Sequence, residues 1–501
     1  MTTLDRRRFL GGAAAAAGGL ALAGPLAALS ARAAHAEPTT TGGYGPVSPK
    51  PDQRDGVARL ALPDGFAYAS FGLVGSTMSD GRPTPSAHDG MAAFQLPQDN
   101  GKIRLVRNHE VRVPGPAFVP AGKAYDPSLG SGGTTTLVFD PADPLNVTSF
   151  ASLGGTIVNC AGGSTPRNTW LTCEETVQQG GQPHGYVFEV PAAANEPVTS
   201  VPFKAMGRFV HEAVAVDRRT NFVYETEDAG SDSGFYRFRP TNPADLVQGG
   251  VLEMAVVANT AKYDTSSGQT VGAALPVSWV QIDQPDPAVT APTVFAQGLA
   301  KGGARWRRLE GAWWSTQDNA VYFNSTDGGN ASAGQVWALR PGVNGAQDTV
   351  TLVYQSPGAG TLFKPDNITI SPRGNVFLCE DPDRAQQSRL QGLTRDGQLF
   401  EFARNIRPDS DGLAGTSPAN TDEFAGATFS PDGRHLFVNI QTPGITFAIT
   451  GPFEAMGPTT GPPPVIPEVP TAALLPAAAA GIIGAAIAFR SRRQAGEEPS
   501  A

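Results

Sequence analysis

The sequence is poor in residue types that several large protein classes require. Its 501 residues include only three cysteines and six histidines. Three cysteines allow one disulfide and leave one free thiol. Charged residues make up 17 %, the net charge is −9 and no basic stripe is present, which argues against nucleic-acid binding. No Ser-His-Asp arrangement is apparent, so nothing indicates a serine hydrolase triad.

Glycine and proline, by contrast, are abundant, with 59 and 44 residues between short hydrophobic runs. One unit of sequence recurs six times, and its first strand opens on an acidic or thiol residue. In the sixth copy the acid, Glu423, comes two residues early, which keeps it on the same face because strand side chains repeat every two residues. The six opening residues are Asp89, Cys160, Glu212, Glu310, Asp366 and Glu423.

Each first strand is followed by a turn, by a second strand with a polar or acidic end, and by a third strand that opens on glycine. The acids at the second-strand ends include Glu110, Glu174, Glu227 and Glu380. Short alternating runs in a repeat of roughly 40–60 residues are typical of a β-propeller. The sequence therefore predicts one all-β domain over residues 44–452, a six-bladed β-propeller.

The predicted topology also predicts a metal cluster. In an antiparallel blade the innermost strand begins where the second strand ends, so both sets of acids are expected at one mouth of the central channel. Clustered carboxylates repel one another unless cations neutralise them. The alternative is that these are ordinary solvated strand-end residues. The expected metal ligands are Asp89, Glu110, Cys160, Glu174, Glu212, Glu227, Glu310, Asp366, Glu380 and Glu423.

The cysteines divide into two kinds by their place in the repeat. Cys160 occupies the position that carboxylates fill in other copies, and a thiolate there favours a transition metal. Carboxylates suit hard cations, so the set suggests iron together with calcium. Cys173 and Cys379 lie at matching places in two second strands, where we expect buried, apolar-like side chains.

Both ends of the chain have the character of targeting segments. Residues 1–36 contain Asp5-Arg-Arg-Arg-Phe-Leu10, an Ala/Gly-rich run and Ala34-His-Ala36, which indicates a twin-arginine signal read by the export machinery. An ordinary Sec signal is the alternative. Twin-arginine export moves folded proteins, which agrees with a cofactor loaded in the cytoplasm.

The C-terminal end also has the character of a targeting segment. Residues 453–470 form a proline-rich spacer, and residues 471–493 combine an apolar stretch with an arginine cluster. The apolar stretch is marginal for a membrane span, which takes about 20 apolar residues. We expect a membrane or sorting segment, with a disordered tail as the alternative. The propeller is thus predicted to be exported, at the cell surface or in the periplasm or medium, with this segment as its potential membrane anchor.

Several phrases of the sequence resemble the PhoX-type alkaline phosphatases, and the resemblance extends over roughly residues 44–450. The phrases are Asn159-Cys-Ala-Gly-Gly-Ser-Thr-Pro166, Thr169-Trp-Leu-Thr-Cys-Glu-Glu175, His211-Glu-Ala-Val-Ala-Val-Asp217, Tyr224-Glu-Thr-Glu-Asp228, Gly234-Phe-Tyr-Arg-Phe238, Arg308-Leu-Glu-Gly311 and Pro365-Asp-Asn367. The resemblance implies an exported six-bladed propeller with ferric iron and calcium. It also implies Cys160 as an iron ligand, three carboxylate ligands, and Arg308 in contact with phosphate. The three carboxylates are those of Glu212, Glu310 and Asp366.

The function implied by this resemblance is metal-assisted hydrolysis of small-molecule phosphate monoesters. Arg308 would supply a charge-assisted fork to a phosphoryl oxygen, unless it is a surface residue of the basic run 305–308. The family continues Trp-Gly where this chain has Arg167-Asn168, which leaves substrate preference open. Two alternatives remain: a calcium-dependent propeller lactonase or esterase, which needs no Cys160, and a non-enzymatic cell-surface propeller.

Overall fold

A computed structural model describes residues 43–178, 180–413 and 418–454. Strands dominate this part of the chain, and the only α-helix within it is α1 (Val294–Ala300). The predicted signal (1–36), most of the spacer (453–470) and the C-terminal segment (471–493) lie outside the described residues. Among the described residues, no helix is both long and apolar enough to cross a membrane.

The strands form six antiparallel blades around a channel, which confirms the predicted propeller. The described residues begin with three strands that complete later blades: β1 (Val47–Lys50), β2 (Leu60–Pro63) and β3 (Ala67–Phe71). The first blade, from the channel outward, is β4 (His88–Phe94), β5 (Ile103–His109), β6 (Gly132–Phe139) and β7 (Thr148–Thr156). The second is β8 (Asn159–Ser164), β9 (Thr169–Glu174) and β10 (Val187–Pro191).

The third and fourth blades are joined at their outer edges. The third is β11 (His211–Val216), β12 (Val223–Glu227), β13 (Phe235–Pro240) and β14 (Gly250–Val257). The linking strand is β15 (Ala274–Gln281). The fourth blade is β16 (Leu309–Ser315), β17 (Ala320–Ser325), β18 (Gln335–Arg340) and β19 (Asp348–Gln355). Because β15 pairs with both β14 and β19, the two blades form one nine-stranded sheet.

The N-terminal strands close the ring. The fifth blade is β20 (Pro365–Ile370), β21 (Val376–Glu380), β22 (Arg389–Leu393) and β23 (Leu399–Asn405), extended by β2 and β1. The sixth is β24 (Phe424–Phe429), β25 (His435–Ile440) and β26 (Ile445–Thr450), and β3 pairs with β26 as its outer strand. A strand from the start of the domain thus fastens its last blade.

The hydrophobic core lies mainly between successive blades. Between the fifth and sixth blades, for example, the Phe377 ring packs edge-to-face on Phe402 at 5.3 Å and on Phe429 at 5.1 Å between centroids. Such layers hold the blades in fixed register around the axis. The inner strands contact one another in sequence, and β24 contacts β4 to complete the circle. Residues at corresponding positions of these strands therefore meet at the channel.

Candidate metal centre

A β-bulge near the start of each inner strand directs side chains at the channel. The strand register shifts between His88 and Met91 in the first blade, and the next four blades shift at the corresponding place. A bulge sets two residues opposite one and re-aims their side chains. In these five blades the residue that begins the bulge is Asp89, Cys160, Glu212, Glu310 or Asp366.

The sixth blade departs from this pattern as the sequence indicated. Its bulge lies between Ala425 and Thr428, one pair later than in the other blades. Glu423 precedes the strand, and its carbonyl oxygen accepts a hydrogen bond from the Gln441 N–H at 3.1 Å. Its carboxylate still reaches the same mouth, where it groups with Asp366 and Asp381.

The second strands contribute the residue just beyond their last pair. In the first blade His88 pairs with His109, and Glu110 follows. The corresponding pairs in the second, third and fifth blades end at Glu174, Glu227 and Glu380. Beyond those pairs come Glu175, Asp228 and Asp381. These three residues and Glu110 belong to groups of side chains at the channel mouth that could hold a metal ion, which we call ligand groups.

Ten residues, which we call the mouth set, form five overlapping groups whose potential ligand atoms lie within 4.8 Å of one another. Neighbouring groups share a member, so the set follows the circumference of the channel from the first blade to the sixth. The groups are Asp89–Glu110–Cys160, Cys160–Glu175–Glu212, Glu175–Asp228–Glu310, Glu212–Glu310–Asp366 and Asp366–Asp381–Glu423.

The electrostatics of the mouth set fit bound cations. Glu212 is fully buried, and neither of its carboxylate oxygens accepts a hydrogen bond from an N–H or O–H group in the described part of the chain. Burial, followed by the carboxylates of Asp366 and Glu175, raises the pKa of Glu212 well above its usual range. Burial also raises the pKa of Asp89 to about 6 and that of Glu175 to about 7. A buried carboxylate without donors or cations is strongly disfavoured in its charged form.

Cys160 is the one sulfur in this set. Its side chain is buried, and burial followed by the charges of Asp89 and Glu212 raises the pKa of its thiol well above the usual range. A thiolate at this place therefore requires a nearby cation. Cys173 and Cys379 are completely buried, as predicted, and belong to none of the ligand groups.

Three basic side chains stand at the same mouth. Arg308 Nη2 lies 2.7 Å from Glu310 Oε1 and 3.1 Å from Asp228 Oδ2. Arg112 Nη2 lies 2.8 Å from Glu175 Oε2. Lys364 Nζ lies 3.5 Å from Asp327 Oδ1 and also contacts Asp383. Burial lowers the pKa of Arg308, but Glu310 and Asp228 more than offset this and raise it.

Three predicted ligands lie outside these groups, and each has strong hydrogen-bond partners. We call Glu174, Glu227 and Glu380 the strand-end acids. Glu174 accepts hydrogen bonds from Gly185 N at 2.8 Å, Tyr186 N at 3.2 Å and His184 Nδ1 at 2.6 Å.

The other two strand-end acids are similar. Glu227 accepts from Gly234 N at 3.0 Å and from the Tyr236 hydroxyl at 2.5 Å. Glu380 pairs with Arg389 and accepts from Phe363 N at 2.9 Å. Neighbouring strand residues point to opposite faces. Glu175, Asp228 and Asp381 point toward the mouth, so the strand-end acids that directly precede them point away from it. Their contacts tie the second strand to the start of the third strand or to the preceding loop.

A set of asparagines holds the backbone that carries the ligands. Asn108 Nδ2 donates to Cys160 O at 2.9 Å, and Trp170 Nε1 donates to Asn108 Oδ1 at 2.8 Å. Asn324 Nδ2 donates to Asp366 O at 2.6 Å, and Asn439 Nδ2 donates to Asp89 O at 2.7 Å. Each asparagine lies on a second strand and reaches the ligand residue of the following blade. These bonds hold the backbone of residues that offer potential ligand atoms.

Fold and site together define a class: a six-bladed propeller whose channel mouth carries carboxylates and one thiol suited to metal ions. A family model described as alkaline phosphatase PhoX matches residues 42–149 and 133–444. The chain belongs to this family of phosphoric monoester hydrolases, as the sequence resemblance predicted. No curated protein sequence matches the chain.

One solved structure supports the fold, and two others are weakly similar. Pseudomonas fluorescens PhoX in complex with vanadate, a transition state analogue, is 16 % identical with a TM-score of 0.60, covering 82 % of this chain and 98 % of that one. A Xanthomonas campestris gluconolactonase is 12 % identical with a TM-score of 0.37, over 77 % and 100 % of the two chains. A Pseudomonas aeruginosa periplasmic gluconolactonase is 15 % identical with a TM-score of 0.34, over 81 % and 88 %. The two gluconolactonase likenesses are too weak to bear on activity.

Proposed function

We propose that this protein is an exported phosphatase that hydrolyses small-molecule phosphate monoesters with Fe3+ and Ca2+ held by the mouth set. The observation that carries the proposal is the buried Glu212 carboxylate, which accepts no hydrogen bond from an N–H or O–H donor in the described residues and belongs to two of the five overlapping ligand groups. The family of the chain supports the reaction class. Cys160 among hard carboxylates supports a transition metal beside calcium.

Bound cations supply the positive charge that stabilises a phosphoryl group during its transfer. The protein's own part is to hold the ligands and orient the ester. Arg308 is the proposed catalytic residue, because its guanidinium stands over Glu310 at the mouth and is one-quarter exposed. A planar guanidinium can form two parallel hydrogen bonds to phosphoryl oxygens.

The proposed metal ligands differ at three positions from those predicted from the sequence. Glu175, Asp228 and Asp381 replace Glu174, Glu227 and Glu380 as ligands, because they belong to the ligand groups and the strand-end acids do not. Asp89, Glu110, Cys160, Glu212, Glu310, Asp366 and Glu423 are retained from the sequence analysis. These ten residues offer oxygen atoms in excess and one sulfur, which suits several ions rather than one.

The activity is tested by assaying the purified protein against an aryl phosphate and an aryl ester of the same alcohol. A phosphatase cleaves the phosphate, loses activity with a chelator and contains iron and calcium by elemental analysis. Cleavage of the ester alone, without iron, would instead indicate the calcium-dependent lactonase or esterase. Cleavage of neither compound by metal-loaded protein would favour a non-enzymatic surface propeller.

Export is a separate part of the proposal and rests on residues 1–36. Replacing Arg6 and Arg7 by lysine is expected to retain the protein in the cytoplasm, because the export machinery reads the paired arginines. Cell fractionation and immunoblotting measure this. Removal of residues 471–493 in the same experiment shows whether the C-terminal segment holds the exported protein at a membrane.

A further inference from the structure

Arg112 is a basic side chain at the channel mouth that the sequence analysis did not single out. It follows β5 by three residues and belongs to the first blade. Its Nη2 atom lies 2.8 Å from Glu175 Oε2 of the second blade and also contacts Glu110 Oε1. The side chain is 62 % exposed, whereas the Glu110 and Glu175 side chains are 3 % and 10 % exposed. The guanidinium therefore covers two buried ligand carboxylates from the solvent side.

Arg308 has the same arrangement between the third and fourth blades. It bridges Asp228 of the third blade and Glu310 of the fourth, as Arg112 bridges the first and second blades. Glu175, Asp228 and Glu310 belong to one ligand group. Each arginine contacts a member of this group, so two guanidinium groups flank it. An anion over this group can meet a hydrogen-bonding fork from either side.

The backbone beside Arg112 is anchored, whereas its side chain is largely exposed and contacts only Glu110 and Glu175 in ion pairs. Val158 N donates to Val111 O at 3.2 Å, and Glu175 N donates to Val158 O at 2.8 Å. These bonds hold residue 111 next to the second-blade ligand. The following residue, Val113, is 74 % exposed. The side chain of Arg112 thus has a fixed origin and room to turn from the carboxylates toward a ligand in solution.

The charge balance of the mouth favours such a role. Within the described residues, the nine carboxylates of the mouth set form ion pairs only with Arg112 and Arg308, while Lys364 pairs with Asp327 and Asp383 outside the set. This field repels an approaching phosphate dianion unless positive groups are directed outward. Arg112 is the most exposed of the three, with Arg308 at 25 % and Lys364 at 16 %.

We propose that Arg112 is a second phosphate-binding side chain, which holds the phosphoryl group of the substrate from the side opposite Arg308. The inference rests on the proposed phosphatase function and names the residue through which substrate affinity is set. Arg112 acts on the bound ester directly, whereas a charge-balancing residue would act only through Glu110 and Glu175.

The test compares Arg112→Gln and Arg112→Lys with the wild type and with Arg404→Gln. Arg404 pairs with Glu401 on the outer part of the fifth blade, so it is the matched control. Measurements are kcat and KM for an aryl phosphate, the inhibition constant of inorganic phosphate, and iron and calcium content. For Arg112→Gln we expect KM and the phosphate inhibition constant to rise together by roughly 10- to 100-fold. Arg112→Lys should recover only part of this, because lysine lacks the fork.

Unchanged KM and phosphate inhibition in both variants, in an active wild type, would overturn the inference and leave the proposed function intact. Full recovery by lysine would also overturn it, because charge alone would then suffice. If Arg112→Gln loses metal, the result for Arg112→Lys decides. A raised KM and a raised phosphate inhibition constant in Arg112→Lys, at wild-type metal content, would support the inference. A wild type that neither hydrolyses the ester nor binds phosphate would overturn the proposed function and this inference together.

Discussion

The mouth set and the strand-end acids differ in their hydrogen bonds, although each strand-end acid is directly followed in the sequence by a member of the mouth set. Glu174 accepts hydrogen bonds from three backbone N–H groups and from His184, whereas Glu175 reaches Arg112 and other ligand residues. The same contrast separates Glu227 from Asp228 and Glu380 from Asp381. The strand-end acids hold strands together, whereas the mouth set gathers nine carboxylates at the channel with only two arginines in ion pairs to them in the described residues. Position relative to the last strand pair, rather than residue type, decides which of the two neighbouring acids belongs to the potential ligand groups.

The largest expected effect comes from neutralising Glu212, which belongs to two of the ligand groups of the mouth set. Glu212→Gln keeps the shape of the side chain and removes its charge, so metal affinity should fall sharply. We expect kcat to fall by roughly 10³-fold or more, because metal charge contributes several kcal/mol to such reactions. Steady-state kinetics and elemental analysis measure this. Wild-type activity at wild-type metal content would contradict the assignment.

The direct comparison of neighbouring acids comes next. Glu175→Gln should lose metal and reduce activity by roughly 100-fold while the metal-free protein stays folded. Glu174→Gln should keep its metal but lower the free energy of unfolding by about 1–3 kcal/mol, because an amide N–H2 would face the donors of Gly185 and His184. Urea unfolding and metal content separate the two. The reverse pattern would exchange the proposed roles.

The third expected effect is a pH dependence confined to the metal-free protein. Burial raises the pKa of Asp89 to about 6 and that of Glu175 to about 7. Between roughly pH 4 and pH 7 the folded state then binds more protons than the unfolded chain, so stability falls as pH rises. Bound cations stabilise the ionised form and should remove this decline. Thermal unfolding with and without chelator measures it, and equal pH profiles in both states would contradict the account.

The smallest effect concerns a thiol outside the mouth set. Cys173→Ala removes a buried side chain and should lower the free energy of unfolding by about 1 kcal/mol without changing metal content. Cys160→Ala, by contrast, should lose iron while the fold is retained. Circular dichroism melting and elemental analysis of both variants test this pair. Iron loss from the Cys173 variant would show that the assignment of residues to the ligand groups is wrong.

Most of the fold was predictable because the repeat is regular. Strand alternation and turn residues recur six times, so the propeller followed from the sequence, as did the six opening residues that the structure brings into the potential ligand groups. The strand-end acids were harder, because each acidic pair offers two candidates and side-chain direction depends on the last strand pair. The first blade could have decided between the two acids, because it has a single acid, Glu110, two residues after Asn108. When Asn108 is aligned with Cys173 and Cys379, Glu110 aligns with Glu175 and Asp381.

Other features depend on contacts between distant segments. The bridges made by Arg112 and Arg308 join residues of different blades, and no local pattern marks them. The linking strand β15 joins two blades through pairs with β14 and β19, which lie far apart in sequence. The asparagines at positions 108, 324 and 439 share a register, but only the assembled ring shows which carbonyl each one holds.

The most direct test is elemental analysis of the wild type, Glu174→Gln and Glu175→Gln, purified in parallel after export. We predict iron and calcium in the wild type and in Glu174→Gln, with a loss of metal in Glu175→Gln. A wild type without bound metal, or equal metal in all three proteins, would contradict the claim that the carboxylates directed at the channel form a metal centre.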